Sequence, residues 1–186
     1  MGLLELMTSD PAAFAIYLVA IIYGITIHEF SHCYTAYVFG DDSQINNKRL
    51  TLNPLRHIDP MGILFLIFFG IGWGRTSIID PSRIDKKRYK FAMFMVSIAG
   101  ILANFLSALF FALLLKLSVV YNWLQYDGLA GNFLATMIYI NVALATFNLI
   151  PLYPLDGAKI VEILIPNRFK IYLANKGFII KNGPNK

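Results

Sequence analysis

Residues 11–39 read PAAFAIYLVAIIYGITIHEFSHCYTAYVF, and the fold follows from how this stretch is read. Pro11 to Ile27 are apolar or small, with Tyr17, Tyr23 and Thr26 as mildly polar exceptions, and no second Pro interrupts the run. As one helix rising about 1.5 Å per residue it spans roughly 43 Å, more than the roughly 30 Å of a hydrocarbon slab. His28 and Glu29 then lie at membrane depth. Charged residues near a bilayer centre cost about 2.5–3.5 kcal/mol on insertion scales, so an acid there calls for a compensating partner.

Composition points the same way. Of 186 residues, 57% are hydrophobic and 15% charged, whereas soluble domains carry about 25% charged residues. This excludes an ordinary soluble domain and indicates an integral membrane protein. Lys and Arg number 16 against 11 Asp and Glu, for a net charge of +5. In a membrane protein that surplus belongs to a cytoplasmic membrane face rather than to nucleic acid. Cys33 is the only cysteine, so no internal disulfide can form. The opening MGLLELMTSD has no basic residue, the wrong start for a cleaved signal peptide, so the first hydrophobic segment is expected to stay in the mature protein.

Two further spans are predicted, one over 91–120 with Lys116 as its only charge and one over about 132–147. The segment 61–74 is apolar but short, and it holds Gly62, Gly70, Gly72 and Gly74, so a re-entrant or interfacial element competes with a crossing. If it re-enters, Lys48, Arg49, Arg56, Arg75, Arg83 and the basic cluster at 86–90 share one side with the tail, and the opposite side has no Lys or Arg. The positive-inside rule then favours three full crossings in a multi-pass protein of the cell membrane, with the N-terminus outside and the C-terminus cytoplasmic. Short strands near the surface are expected at Arg49–Pro54 and Arg75–Pro81, where β-favouring residues run into a Pro. The tail at 166–186 is expected to be interfacial. The fold class is therefore an all-α polytopic membrane protein. It has three full transmembrane helices around a metal site, a short re-entrant or interfacial segment and small membrane-associated strands, all in a single domain over 1–186.

The chemistry centres on His28-Glu29-Phe30-Ser31-His32. Residues i and i+4 share a helical face, so both imidazoles can reach one ion, and Glu29 sits beside them where it can act on a metal-bound water. Zinc suits two nitrogens, a carboxylate and one open position, and one zinc ion is expected. Two hydrogen-bonding histidines with a satisfied Glu are the structural alternative. Asp156 is the other acid in a predicted intramembrane stretch, in Asn148-Leu-Ile-Pro-Leu-Tyr-Pro-Leu-Asp156 after the last span. Pro151 and Pro154 break the helix there, and irregular backbone at membrane depth is tolerated only when buried or lining a watery cavity. Asp156 is thus expected as the third ligand, a role that can coexist with helix N-capping.

On these motifs the chain resembles the site-2 protease family, the intramembrane zinc metalloproteases, and within it the compact branch without an inserted PDZ domain. The resemblance runs from His28 through Asn53-Pro-Leu-Arg-His-Ile-Asp-Pro60 and Ala99-Gly-Ile-Leu-Ala-Asn104 to Asn148 and Leu155-Asp-Gly157. It implies His28, His32 and Asp156 as zinc ligands, Glu29 as catalytic base, and Asn148 as a residue that steadies the substrate or the oxyanion. The family's Gly-Pro-x-x-Asn appears here as Gly100-Ile-Leu-Ala-Asn104, and many members have a further hydrophobic helix after Asp-Gly, whereas here Gly177-Phe-Ile-Ile runs directly into Lys181-Asn-Gly-Pro-Asn-Lys.

Weaker signals have plainer readings. Asn104 shares a face with Ser97, Gly100 and Ser107 or Ala108, a small-residue stripe suited to helix packing, with support of the metal helix as the sharper reading. His57, between Arg56 and Asp59, reads as a surface or gating residue, and Cys33 as a small buried one. The functional expectation is an intramembrane endopeptidase that cuts a transmembrane helix of another protein near the cytoplasmic side, with substrate added as an extended segment beside Arg75–Asp80. The rival is a non-proteolytic metal-binding or metal-transport membrane protein, which gives Glu29 no role. A b-type haem site is disfavoured, because its two histidines normally come from different helices.

Overall fold

Asp10 starts the long helix: its Oδ1 accepts the Ala13 N–H at 3.0 Å, and Pro11 stands first inside, where a missing N–H costs nothing. The computed structural model describes residues 3–69 and 72–166. After a short α1 (Leu3–Ser9) come α2 (Pro11–Val38), α3 (Ser43–Asn46), α4 (Pro60–Phe69), α5 (Tyr89–Val120), α6 (Leu129–Asn148) and α7 (Asp156–Leu164). Helices α2, α5 and α6 are long and apolar enough to cross a membrane, as expected, although α5 starts two residues and α6 three residues before the predicted bounds.

Helix α5 packs against α2, α6 and α7. Ala20, Ile21, Met137 and Ile140 form a buried cluster between α2 and α6. Small residues such as Ala36, Ala92 and Ala108 are buried along α2 and α5, which lets helices approach where no hydrophobic effect drives them together. The Tyr23 and Ser107 hydroxyls meet at 3.1 Å across α2 and α5. The outward face of α5 exposes Leu102, Phe105, Leu106, Leu109, Phe110 and Leu113, a liability in water but ordinary solvent contact in lipid.

The described parts of segment 61–74, on either side of residues 70–71, lie against each other. Helix α4 has 10 residues, about 15 Å and half a hydrocarbon slab. A single antiparallel bridge joins Ile58 to Gly74, and Arg75 N–H donates to the His57 carbonyl at 2.7 Å, so the segment leaves and returns at one place. A crossing would separate those ends by the bilayer. Gly62 permits the return: a Cβ there would lie 2.0 Å from the Trp73 carbonyl oxygen. Phe65 stacks near both Phe69 and Trp73, with ring centroids 5.2 Å apart in each pair.

Two expectations are corrected. The stretches at Arg49–Pro54 and Arg75–Pro81 are not strands; among the described residues the only β pairing is the isolated Ile58–Gly74 bridge. Side chains take the backbone groups a partner strand would need. In the second stretch Glu29 accepts the Ser77 N–H, Gln44 donates to the Ile78 carbonyl and Asp41 accepts the Asp80 N–H. In the first, Asn53 caps Leu55, and the Thr51 carbonyl accepts from His57. His57, expected at the surface, is fully buried, with Nε2 donating to Thr51 at 2.7 Å. The interfacial tail lies outside the described residues.

Candidate metal centre

Helical spacing places His28 and His32 one turn apart on α2, with ring centroids 4.7 Å apart. Asp156 begins α7, where Leu155 is the cap residue, so its carboxylate is directed not to capping but to the two rings. Its Oδ2 lies 3.0 Å from His28 Nε2 and 2.9 Å from His32 Nε2, and the two Nε2 atoms are 3.1 Å apart. All three residues are buried. Among the described residues they form the one group of three side chains able to hold a metal ion.

The surrounding hydrogen bonds decide what those atoms can do. His32 Nδ1 lies 2.6 Å from the Val96 carbonyl, which only accepts, so that nitrogen carries the proton. His28 Nδ1 lies 2.7 Å from Asn104 Oδ1. The Asn104 amide orientation is fixed because Nδ2 donates to the Gly24 carbonyl and to Asn141 Oδ1, both at 3.0 Å. His28 Nδ1 therefore donates as well. With both rings neutral, both Nε2 lone pairs face a carboxylate oxygen, and three acceptors within 3.1 Å repel unless a cation joins them. Protonating one ring still leaves the other Nε2 lone pair against the carboxylate oxygen, and protonating both would set two positive charges 3.1 Å apart in a buried site. Ligands about 2.05 Å from a tetrahedral zinc lie about 3.3 Å from one another. The triangle fits once each atom moves outward by a few tenths of an ångström.

Gly100 lets α5 come this close. A Cβ on it would sit 2.5 Å from His32 Nε2 and 2.6 Å from His28 Cε1. On the far side of the triad, Lys159 Nζ lies 3.0 Å from Asp156 Oδ1, which leaves Oδ2 to the histidines.

Comparison with known proteins agrees with this geometry. The model of peptidase family M50 matches residues 125–180. "Putative zinc metalloprotease YwhC" of Bacillus subtilis is 38% identical over 91% of this chain and 80% of its own length. The chain belongs to peptidase family M50, that of the site-2 proteases. "Putative zinc metalloprotease Rip2" of Mycolicibacterium smegmatis is 31% identical over 74% of the M50 chain, which spans about half (52%) of that relative. The protein of that name from Mycobacterium tuberculosis is 30% identical over 83% of the chain and 61% of its own length. No solved structure matches.

The remaining expected site residues of this M50 chain fall as follows. Glu29 is half-buried beside the histidines, and its Oε2 accepts from both the N–H and the hydroxyl of Ser77, at 3.0 and 2.8 Å. Asn148, at the last turn of α6, is not in the triad; its Nδ2 donates to the Leu144 carbonyl of its own helix at 2.9 Å. Cys33 is buried, with Sγ 3.1 Å from Ser77 Oγ. Asn141, Ser77 and Lys159 were not singled out from sequence. For Asn141 a signal exists: an amide in the middle of an apolar span needs a partner.

Proposed function

We propose that this chain is an intramembrane zinc metalloprotease that hydrolyses a peptide bond in a transmembrane segment of another protein. His28, His32 and Asp156 hold the ion in this reading, and Glu29 is the general base. The carrying observation is the convergence of three buried acceptor atoms, two of them on a helix long enough to span a bilayer, with a carboxylate next to them in sequence. A bound zinc ion supplies a Lewis acid that brings the pKa of water towards neutrality and polarises a carbonyl.

The residues of the chain do the rest. Glu29 takes the proton of the attacking water and returns it to the leaving nitrogen. Asn104 and the Val96 carbonyl hold the two rings in the tautomer that leaves Nε2 free. Asn148 steadies the substrate carbonyl in this reading, which requires its amide to turn off the Leu144 carbonyl. A helical peptide bond is shielded by its own hydrogen bonds, so the substrate unwinds and lies extended beside Arg75–Asp80, against exposed side chains such as Ile78 (73% exposed) and the backbone groups other than those Glu29, Gln44 and Asp41 already hold. We take residues 1–186 as one catalytic domain, with the basic loops and C-terminus in the cytoplasm and the N-terminus outside.

The test pairs zinc content with cleavage of single-span transmembrane reporters by the wild type and Glu29→Gln. The expected result is full zinc in both and a loss of cleavage of about 10²–10⁴-fold in the variant. A variant that keeps zinc and cuts at the wild-type rate removes Glu29 as the base. A zinc-loaded wild type that cuts no reporter favours a non-proteolytic metal protein.

A further inference from the structure

Glu29 has two unlike oxygens. Oε2 accepts two hydrogen bonds from one residue, the backbone N–H of Ser77 at 3.0 Å and its hydroxyl at 2.8 Å. Ser77 Oγ also lies 3.2 Å from the Glu29 carbonyl oxygen, so one hydroxyl straddles the base and its own backbone. With that hydroxyl proton spent on Glu29, the Cys33 thiol at 3.1 Å is placed to donate to Ser77 Oγ. Oε1 has no protein partner among the described residues, and Glu29 is only half-buried. A carboxylate tied at one oxygen and open at the other is held in orientation while one oxygen stays free for work.

The tether does not belong to α2. Ser77 lies in the extended segment after the α4 hairpin, and that segment is pinned on its far side. Gln44 Nε2 donates to the Ile78 carbonyl at 2.8 Å, and Asp41 Oδ2 accepts the Asp80 N–H at 2.9 Å. Behind it, Gly74 packs so closely that a Cβ would stand 2.7 Å from Ile25 Cγ2. The orientation of the Glu29 side chain is thus set by a separate element, 48 residues away in sequence.

We infer that Ser77 is a positioning residue for Glu29: it anchors Oε2 and so assigns Oε1 as the oxygen that handles the proton during peptide hydrolysis. This rests on the protease reading above. Ser77 bonds none of the metal ligands, and its N–H and hydroxyl are both turned to Glu29 rather than to a substrate laid along the segment, so its loss acts on turnover and leaves metal loading alone. A hydrogen bond to a charged group is worth enough to change a rate about ten-fold, and the backbone N–H survives any side-chain change.

The experiment compares wild type, Ser77→Ala and Ser77→Thr on one single-span reporter that the wild type cuts, with zinc-to-protein ratio and thermal stability measured on each. The expected result for Ser77→Ala is a kcat about ten-fold lower with KM and zinc unchanged, and recovery in Ser77→Thr, which keeps both donors. In a Glu29→Gln background, Ser77→Ala should change the residual rate little, because the two act through one group. A wild-type kcat in Ser77→Ala overturns the inference, as does a loss that lies in KM or in zinc content. If the wild type cuts no reporter, the protease reading falls, and the anchor is judged on Cys33, the only thiol. Faster alkylation of Cys33 by N-ethylmaleimide in both Ser77→Ala and Glu29→Ala supports the anchor, and wild-type rates in both overturn it.

Discussion

His28 Nδ1 lies 2.7 Å from Asn104 Oδ1, and this contact decides which side of the imidazole is free for a metal. Through Asn104 the same node reaches the Gly24 carbonyl on α2 and Asn141 on α6, whose own Nδ2 donates to the Met137 carbonyl at 2.8 Å. Three spans therefore meet in one buried amide network at the depth of the metal triad. Neither asparagine touches the ion's position. Their effect is on the basicity and orientation of the His28 ring.

Replacing Asn104 by Ala should leave the helices assembled and weaken zinc binding about 10–100-fold. Competition against a chelator of known affinity measures this on purified protein. Unchanged affinity would remove Asn104 from the support of His28.

Gly100→Ala tests the approach of α5. The added methyl would meet His32 Nε2 at 2.5 Å and His28 Nδ1 at 2.7 Å, and neither ring can retreat without losing its Nδ1 partner. The expected cost is about 1–3 kcal/mol of overpacking together with a marked loss of bound zinc. Thermal unfolding in detergent and metal analysis of the same sample read the two effects separately.

For Lys159 the expected effect is smaller. Its ammonium is 47% exposed by side chain and bonds the Asp156 oxygen turned away from the histidines. Lys159→Met should cost under about 1 kcal/mol in stability. Zinc affinity should fall only a few-fold, with Lys159→Arg close to wild type. A loss of zinc as large as that from Asp156→Ala would show that the lysine does more than balance charge.

Asp41 gives a pH signature outside the spans. Burial by itself pushes its carboxyl up, but the Ser43 hydroxyl, the Asp80 and Ser43 N–H groups and the Gln44 amide outweigh it and hold the carboxyl below the usual carboxylate range. A depressed folded-state value contributes stability in full above the unfolded value near 3.9, and that contribution is lost as pH falls through the folded value. Asp41→Asn should therefore be less stable than wild type at pH 7 by about 1–3 kcal/mol, and the difference should shrink below about pH 4. Melting curves at pH 7, 5, 4 and 3 check the sign; a gap that widens in acid contradicts it.

The three spans were legible because hydropathy at a helical period is a property of each segment alone. The two histidines were legible because one turn of helix puts residues i and i+4 together whatever else the protein does. Asp156 was accessible through its cost, as an acid beside a Pro-broken helix at membrane depth. Other features depend on distant segments. Asn104 read first as one member of a packing stripe, with support of the metal helix as the sharper alternative, and the arrival of α2 makes it the partner of His28 that the alternative called for. The Val96 carbonyl that fixes the tautomer of His32 has no side-chain signature at all. Arg75–Pro81 has β-favouring composition, yet side chains from α2, α3 and the turn between them satisfy its backbone, so composition was a poor guide to pairing. His57 sits in a polar sequence that the fold nonetheless buries, its ring bonded to the Thr51 carbonyl and its own carbonyl to the Arg75 N–H.

The carboxylate of Asp156 lies 124 residues after His32 in the chain. Ribosomes add roughly 5–20 residues per second, so the histidine pair precedes the acid by roughly 6–25 seconds of synthesis. During that interval α2 carries two imidazoles whose third partner does not yet exist. Helix α5, with Gly100 and Asn104, is made in between, so the cradle for the rings is available before the residue that closes the triad. The last of the three residues to be translated is thus the one that completes the set, and a nascent chain is born without a finished triad beside its neighbours in the membrane.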